Sequence, residues 1–402
     1  MKEHTYAVAV VGGGAAGMAA AASAASAGAA GVDAPKTARV LCLERNDEPG
    51  RKLLATGAGR CNFTNAACAE AGEVLHFFRE LGLLARRDAE GRFYPYAGQA
   101  AAVRDALREE MARLGVVLRC NAPVKTLRRA GAEEDAVAGS TGRAPRARFE
   151  IEAEDGAVFR AEKLIIATGG KAGPQYGCRG DGYAFARHFG HEVVSPLPSL
   201  VRVVCAEEEK QRLRVIRGVR AKCSAALWIG DAPAAHAAGE VLFTEDGLSG
   251  ICILDLSRAM RVNHRGARRI VLDLAPAIEE RTLRDLFAEN RAASLTGVLP
   301  QKLASLVETE TRGNARAAAR LVKGMAFSVE GTQGWREAQV TSGGVSLGEI
   351  DANTMESKFV RGLFFAGEVL DYDGVCGGFN LNWAFRTGMK AGLSARGAAA
   401  DA

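Results

Sequence analysis

Residues 7–17 read Ala7-Val-Ala-Val-Val-Gly12-Gly13-Gly14-Ala15-Ala16-Gly17. An apolar strand runs straight into Gly12-x-Gly14-x-x-Gly17, and a run of small residues follows that suits a helix lying close to a sheet. A second apolar stretch, Val40-Leu-Cys-Leu43, ends in Glu44. This is the order of parts in a dinucleotide site. Gly12 permits the tight turn, Gly14 lets backbone approach a pyrophosphate, and Gly17 lets the helix rest on the strand. The helix N-terminus faces phosphate charge, and the acid closing the second strand accepts hydrogen bonds from a ribose.

Working outward, 402 residues at 48% hydrophobic and 25% charged leave room for two or three soluble globular domains. Residues 7–30 carry no charge, yet their five glycines and the acidic Glu3 just upstream exclude a membrane span or export signal. Nine cysteines without a Cys-x-x-Cys point to reduced thiols in the cytoplasm and away from zinc-ribbon or iron–sulfur chemistry. His188-Phe-Gly-His191 lacks further ligands at metal spacing, so no metal is expected there.

Two Ala/Gly-rich patches, Ala27 to Thr37 and Ala130 to Arg146, read as surface insertions without chemistry. Between them come a helix over Val103 to Leu114 and a strand over Val116 to Cys120. Phe149-Glu-Ile-Glu alternates as in a small antiparallel sheet, and Lys163-Leu-Ile-Ile-Ala-Thr168-Gly169-Gly170 reads as a buried parallel strand reaching a turn. After Pro196 short β-like runs take over, then amphipathic helices, and near 340 the parallel texture returns. The expected fold is α/β: a discontinuous Rossmann-like domain, 1–195 and 340–402. Into it are inserted a β-rich, barrel-like domain (196–275 and 330–339) and a small helical domain (276–329).

Three strand-to-glycine corners stand at 12–17, 167–170 and 366–368, enough to line one long cofactor beyond the carboxyl ends of a parallel sheet. Several longer motifs accompany them: Gly50-Arg-Lys-Leu-Leu-Ala-Thr-Gly-Ala-Gly-Arg60-Cys61-Asn62, Phe243-Thr-Glu-Asp-Gly-Leu-Ser-Gly250, Thr354-Met-Glu-Ser-Lys358 and Phe365-Ala-Gly-Glu-Val-Leu-Asp371-Tyr-Asp373-Gly-Val-Cys-Gly377-Gly378-Phe-Asn380. Together they resemble the BaiN/YhiN-like family of FAD-dependent oxidoreductases, the two-dinucleotide-binding-domain flavoprotein fold, over nearly the whole chain. One departure is Glu245-Asp246, where the family pattern leads one to expect a histidine followed by a variable residue. The resemblance implies FAD as cofactor and NAD(P)H as reductant.

The expected cofactor set begins with Gly12, Gly14, Ala15, Ala16, Gly17, Glu44, Arg45, Arg51, Lys52 and Val124. Arg51 and Lys52 would supply positive charge near a diphosphate. Gly59, Arg60, Cys61 and Asn62 form a loop able to close over the flavin, with Ala167, Thr168, Gly169 and Gly170 at the second corner. Gly367, Glu368, Asp373, Gly374, Gly378, Phe379 and Asn380 complete the set, the last three opening a helix whose dipole favours negative charge on the reduced flavin. Cys61 and Cys68 lack the Cys-x4-Cys spacing of disulfide reductases, so Cys61 is either a catalytic proton donor or a packed thiol.

Residues 196–339 hold 21 Lys/Arg against 17 Asp/Glu. Two blocks have no acid within them: Lys210, Arg212, Arg214, Arg217, Arg220 and Lys222, then Arg258, Arg261, Arg265, Arg268 and Arg269. Such blocks suit an RNA backbone. The resemblance implies either a dihydrouridine synthase acting on ribosomal RNA or a reductase of conjugated enones among bile-acid intermediates. A flavin-carrying redox or binding protein without a dedicated substrate is the third reading.

Overall fold

The computed structural model of the protein describes residues 5–26, 39–130, 148–261, 266–289 and 294–397. The first Ala/Gly-rich patch, and the second from residue 131 onward, lie outside the described residues. The chain forms two compact units, Met1–Pro196 with Gly343–Ala402, and Leu197–Ser342. Among the described residues their buried apolar side chains make two clusters that share no residue.

In the first unit, strands Val117–Arg119, Val40–Leu43, Thr5–Val11 and Val158–Ile166 lie side by side in parallel. The far edge of Val158–Ile166 is divided. Its first residues pair antiparallel with Phe149–Ala153, which continues to Val124–Arg129, while Leu164–Ile166 pair in parallel with Leu363–Phe365. Val8–Val11, Val40–Leu43, Leu164–Ile166 and Leu363–Phe365 are buried without alternation, because helices cover both faces. The helix Ala15–Ser26 is apolar all round and packs against the sheet, the helix Ala100–Arg113 and the closing helix Phe379–Ala395. A Cβ on Gly388 would lie 2.3 Å from the Ala16 carbonyl oxygen, and one on Gly392 2.3 Å from that of Ala20. The two helices therefore touch backbone to backbone. Among the described residues no helix is long and apolar enough to cross a membrane.

In the second unit, six antiparallel strands close a barrel in the order Val203–Cys205, Gly247–Ser249, Ala232–Phe243, Arg220–Ile229, Arg268–Asp273 and Met325–Thr332. The helices Glu280–Ala288, Gln301–Thr311 and Ala315–Lys323 bury Leu283, Phe287, Leu303, Val307 and Val322 in the same cluster as the barrel. Among the described residues they form no third core. Residues 325–329, expected as helix, instead alternate inward as a barrel strand with Met325, Phe327 and Val329 buried. The ends of this unit are tied together: Gln339 N–H donates to the Leu200 carbonyl and Gln333 N–H to that of Arg202.

Candidate cofactor site

Four of the five parallel strands of the first unit, Val40–Leu43, Thr5–Val11, Val158–Ile166 and Leu363–Phe365, are neighbours that end at one edge of the sheet, and the chain leaves them at Glu44, Gly12, Ala167 and Ala366. The corners seen separately in sequence thus stand side by side, as a ligand beyond the strand ends requires.

At the first corner Gly12 has φ of 108°, and a Cβ there would sit 2.4 Å from the Ala167 carbonyl oxygen. A Cβ on Gly17 would fall 1.8 Å from Gly12 O. Both glycines exist for protein contacts. Gly14 differs: a Cβ there would meet no protein atom within 4 Å, and the same holds at Gly169 and Gly59. At these three glycines no protein atom covers the side from which a Cβ would project.

Glu44 is 6% exposed, and its carboxylate is fixed by the chain. Oε2 accepts from Gly13 N–H at 2.8 Å, while Oε1 accepts from Asn46 N–H and Nδ2 at 2.8 and 2.7 Å. A carboxylate has about four acceptor positions, and these three donors occupy one on Oε2 and two on Oε1. The Glu44 carbonyl accepts from Ala122 N–H, bringing the segment that begins Val124 beside it. Arg45 pairs with Asp181 at 2.8 Å and so braces the loop around Gly177, to whose carbonyl it also donates.

Lys52 and Glu368 bridge two corners with an Nζ–Oε2 distance of 2.6 Å. Burial opposes the ammonium charge, but the Glu368 carboxylate more than offsets this and holds Lys52 above its ordinary range. Arg51 instead points to Asp47 at 2.6 Å in an exposed pair. The segment 62–65 is bound to the last motif: Thr64 Oγ1 donates to Asn382 Oδ1 at 2.7 Å, and Asn65 Nδ2 to the Gly377 carbonyl at 2.9 Å. Asn380 donates to the Gly374 carbonyl and accepts from its N–H, which shapes the loop holding Asp373 and presents Gly378 and Phe379 at the start of the closing helix. Thr168 Oγ1 lies against Gly182, where a Cβ would approach to 2.2 Å.

Cys61 requires a correction. Its neighbours Arg60 and Asn62 reach the surface, Arg60 with its guanidinium over the Tyr94 ring at 5.0 Å, but Cys61 has 0% exposed surface and belongs to the core. Burial pushes its thiol up to about 12. A group that meets a cofactor must have surface facing it, so its burial favours packing over proton donation at Cys61. Cys61→Ala should leave the flavin spectrum and kcat within about twofold and cost roughly 1–2 kcal/mol of stability as a small cavity. Thermal melts and turnover on the same preparation check this, and a collapse of kcat with FAD retained would restore the catalytic reading.

His191 is fully engaged without a metal. Its Nε2 lies 2.8 Å from Ser357 Oγ and its Nδ1 2.9 Å from Glu349 Oε2. Ser357 Oγ accepts from Phe359 and Val360 N–H, so its own proton goes to Nε2 and His191 carries its proton on Nδ1. The members match those of a hydrolytic triad, yet a serine 6% exposed with both lone pairs taken is a clamp. The motif Thr354 to Lys358 earns its place through this clamp, which nothing in its spacing announced. Among the described residues no cluster of His, Cys, Asp and Glu could hold a metal.

The basic blocks also change meaning. Acids outside the first block reach into it: Lys210 pairs with nearby Glu207, Arg217 with Glu245 at 2.8 Å, and Arg220 with Glu240. Arg212 binds Glu310 at 2.7 Å and stacks over Phe327 at 4.7 Å, pinning a helix. Lys222 is exposed. In the second block Arg258 is engaged, Arg268 is half-buried, and Arg269 lies over Trp228 at 5.1 Å. Arg265 and the Arg261 side chain lie outside the described residues. The departure Glu245-Asp246 supplies two of the structural acids, with Asp246 held by Arg202 at 2.5 Å.

Comparison with known proteins agrees with this geometry. The chain is 33% identical to the 3-dehydro-bile acid delta(4,6)-reductase of Clostridium scindens, over 96% of this chain and 98% of that one. It is 27% identical to the ribosomal RNA dihydrouridine synthase of Haemophilus influenzae, over 88% and 92%. A 3-ketosteroid-delta4-(5alpha)-dehydrogenase from Rhodococcus jostii shares the fold, with a TM-score of 0.50 at 17% identity over 98% of each chain. The model of the HI0933-like protein Rossmann domain matches residues 70–394. With these corners, this barrel and that match, the chain belongs to the HI0933-like family and is an FAD-dependent oxidoreductase.

Proposed function

We propose that the enzyme draws hydride from NAD(P)H and reduces a carbon–carbon double bond conjugated to a carbonyl, and that its acceptor is a uridine of large-subunit ribosomal RNA. The bound flavin would supply hydride to the β-carbon of that bond. The chain's own part is to hold and bias the site. The Gly14 corner and the N-terminus of the helix Ala15–Ser26 receive the diphosphate, and Glu44 takes a ribose hydroxyl. Lys52, kept charged by Glu368, and the N-terminus of Phe379–Ala395 provide fixed positive potential where negative charge grows on reduction.

The observation that supports an RNA acceptor is a groove of about 670 Å³ in the inserted unit, lined by Arg202, Lys210, Arg214 and Arg217 with Leu242, Phe243, Thr244, Glu245 and Asp246. Lys210 and Arg217 are in solvent-screened surface pairs that hold them weakly, so phosphates can claim both. Replacing Lys210, Arg214 and Arg217 together by Glu should weaken rRNA binding and reduce the salt slope by ~0.7–0.9 for each phosphate no longer neutralised, with the FAD spectrum unchanged. A filter-binding titration across salt concentrations checks this.

One observation favours a second acceptor, a small conjugated enone: the greater identity to the bile-acid reductase across almost the entire chain. A uridine C5=C6 bond is itself conjugated to a carbonyl, so both acceptors ask for one chemistry. Nucleoside analysis of rRNA from a strain lacking the gene separates them. Loss of dihydrouridine supports RNA. Unchanged rRNA, with efficient turnover of a steroidal enone and indifference to the triple Glu variant, transfers the assignment to the small molecule.

A further inference from the structure

Cys223 stands on the barrel strand Arg220–Ile229, and Cys252 on the helix Ile251–Ser257 that follows the Phe243–Gly250 motif. Their Sγ atoms are 3.7 Å apart, and the residues are 3% and 0% exposed. Cys223 is registered with Gly239 on the neighbouring strand, and a Cβ at Gly239 would lie 3.7 Å from that of Cys252. The helix thus sits directly over the registered pair. Cys252 Sγ also lies 3.4 Å from the Glu240 carbonyl oxygen, so the thiols form a short relay, Cys223 to Cys252 to backbone. Neither takes any part in the cofactor corners, and buried thiols of this kind usually sit among hydrocarbon.

We propose that Cys223 and Cys252 form a redox modification site, converted by hydrogen peroxide to a disulfide that ties the barrel strand to the helix. Cys252 sulfur, as thiolate, attacks one peroxide oxygen. The O–O bond breaks, Cys252 becomes a sulfenic acid, and hydroxide leaves to be protonated to water. Cys223 sulfur then attacks the sulfenic sulfur, the S–S bond forms, the S–O bond breaks, and a second water departs with the Cys223 proton. Two thiols lose two electrons and one peroxide gains them.

The order of attack follows from the thiol–thiol hydrogen bond itself. The hydrogen bond from Cys223 holds the Cys252 thiol below its ordinary range and leaves Cys223 above its own. Near-complete burial denies access to bulky disulfides such as oxidised glutathione and leaves a small oxidant as the one able to reach the pair. A flavin-dependent oxidoreductase meets such an oxidant whenever its reduced cofactor reacts with dioxygen.

The test treats the flavin-loaded full chain with hydrogen peroxide, blocks remaining thiols with N-ethylmaleimide after denaturation, and maps peptides by mass spectrometry. A Cys223–Cys252 cross-linked peptide should appear, vanish on dithiothreitol treatment, and be absent from Cys223→Ser and Cys252→Ser. In Cys223→Ser, dimedone should label Cys252. The melting temperature of the oxidised wild type should rise and fall back on reduction, while neither Ser variant responds. Recovery of both residues as alkylated thiols after peroxide, or their oxidation to sulfinic acids without a cross-link, overturns the proposal. The wild-type peptide map decides even if a Ser variant fails to fold.

Discussion

Replacing Gly14 by valine yields a protein that folds and binds FAD roughly 100-fold more weakly. A Cβ at this position meets no protein atom within 4 Å, so the side chain enters space that the fold leaves open at the helix N-terminus. The protein loses a favourable N-cap residue, which costs at most about 1 kcal/mol. The cofactor loses far more, because branched carbons occupy the approach of the diphosphate to backbone. Overlap of that kind costs about 3 kcal/mol, roughly 100-fold in affinity. Flavin absorbance per mole of protein and circular dichroism, measured together, give the two readouts. Gly17→Val is the informative control. Its Cβ would sit 1.8 Å from the Gly12 carbonyl oxygen, so that variant should fail to fold. A yellow Gly14→Val protein with ordinary affinity would place the diphosphate elsewhere.

The second large effect lies at the closing helix. Gly388→Val should destabilise the protein by at least about 3 kcal/mol, even though valine improves on glycine in helix propensity by roughly 0.5 kcal/mol. Propensity and packing pull in opposite directions here, and magnitude decides between them. The added Cβ would stand 2.3 Å from the Ala16 carbonyl oxygen, and the atom it strikes is backbone, which cannot rotate aside. Because Ala16 belongs to the Gly12–Gly17 corner, separating the helices also displaces the cofactor site. Urea unfolding followed by far-ultraviolet circular dichroism and by flavin release should show both transitions moving to lower denaturant. A midpoint equal to wild type would mean that the helices stand farther apart than their glycines suggest.

The parts legible in the sequence are those governed by local rules. Gly12, Gly14, Gly17 and Glu44 announce themselves because strand, turn, helix and strand follow in order within one βαβ unit. Ala167–Gly170 and Ala366–Glu368 are equally plain as apolar runs ending in glycine, and the sheet sets them beside the first corner. What stayed hidden depends on pairing between distant segments. An acid-free run of cations says nothing of Glu240, Glu245 and Glu310, which meet Arg220, Arg217 and Arg212 only after the barrel closes. Amphipathic spacing shows that Leu283 and Val322 are covered, but not that the barrel covers them. Cys61 sits among glycines that suggest an open loop, yet its backbone N–H bonds the Thr56 carbonyl and turns the thiol into the core. The His191, Glu349 and Ser357 clamp joins residues more than 150 positions apart, beyond the reach of any short pattern.

The tied ends and private core of the inserted unit bear on how such an enzyme diversifies. Leu200 and Gln339 fasten the entry and exit of the insertion to one another, and among the described residues no buried residue serves both apolar clusters. A core substitution in the barrel therefore alters side-chain packing within its own cluster, not among the residues of the other. Selection can rework the surface of one unit, charge by charge, with a constant redox engine in the other. The bile-acid reductase and the ribosomal RNA dihydrouridine synthase that this chain resembles act on substrates of very different size, as such a division between units allows.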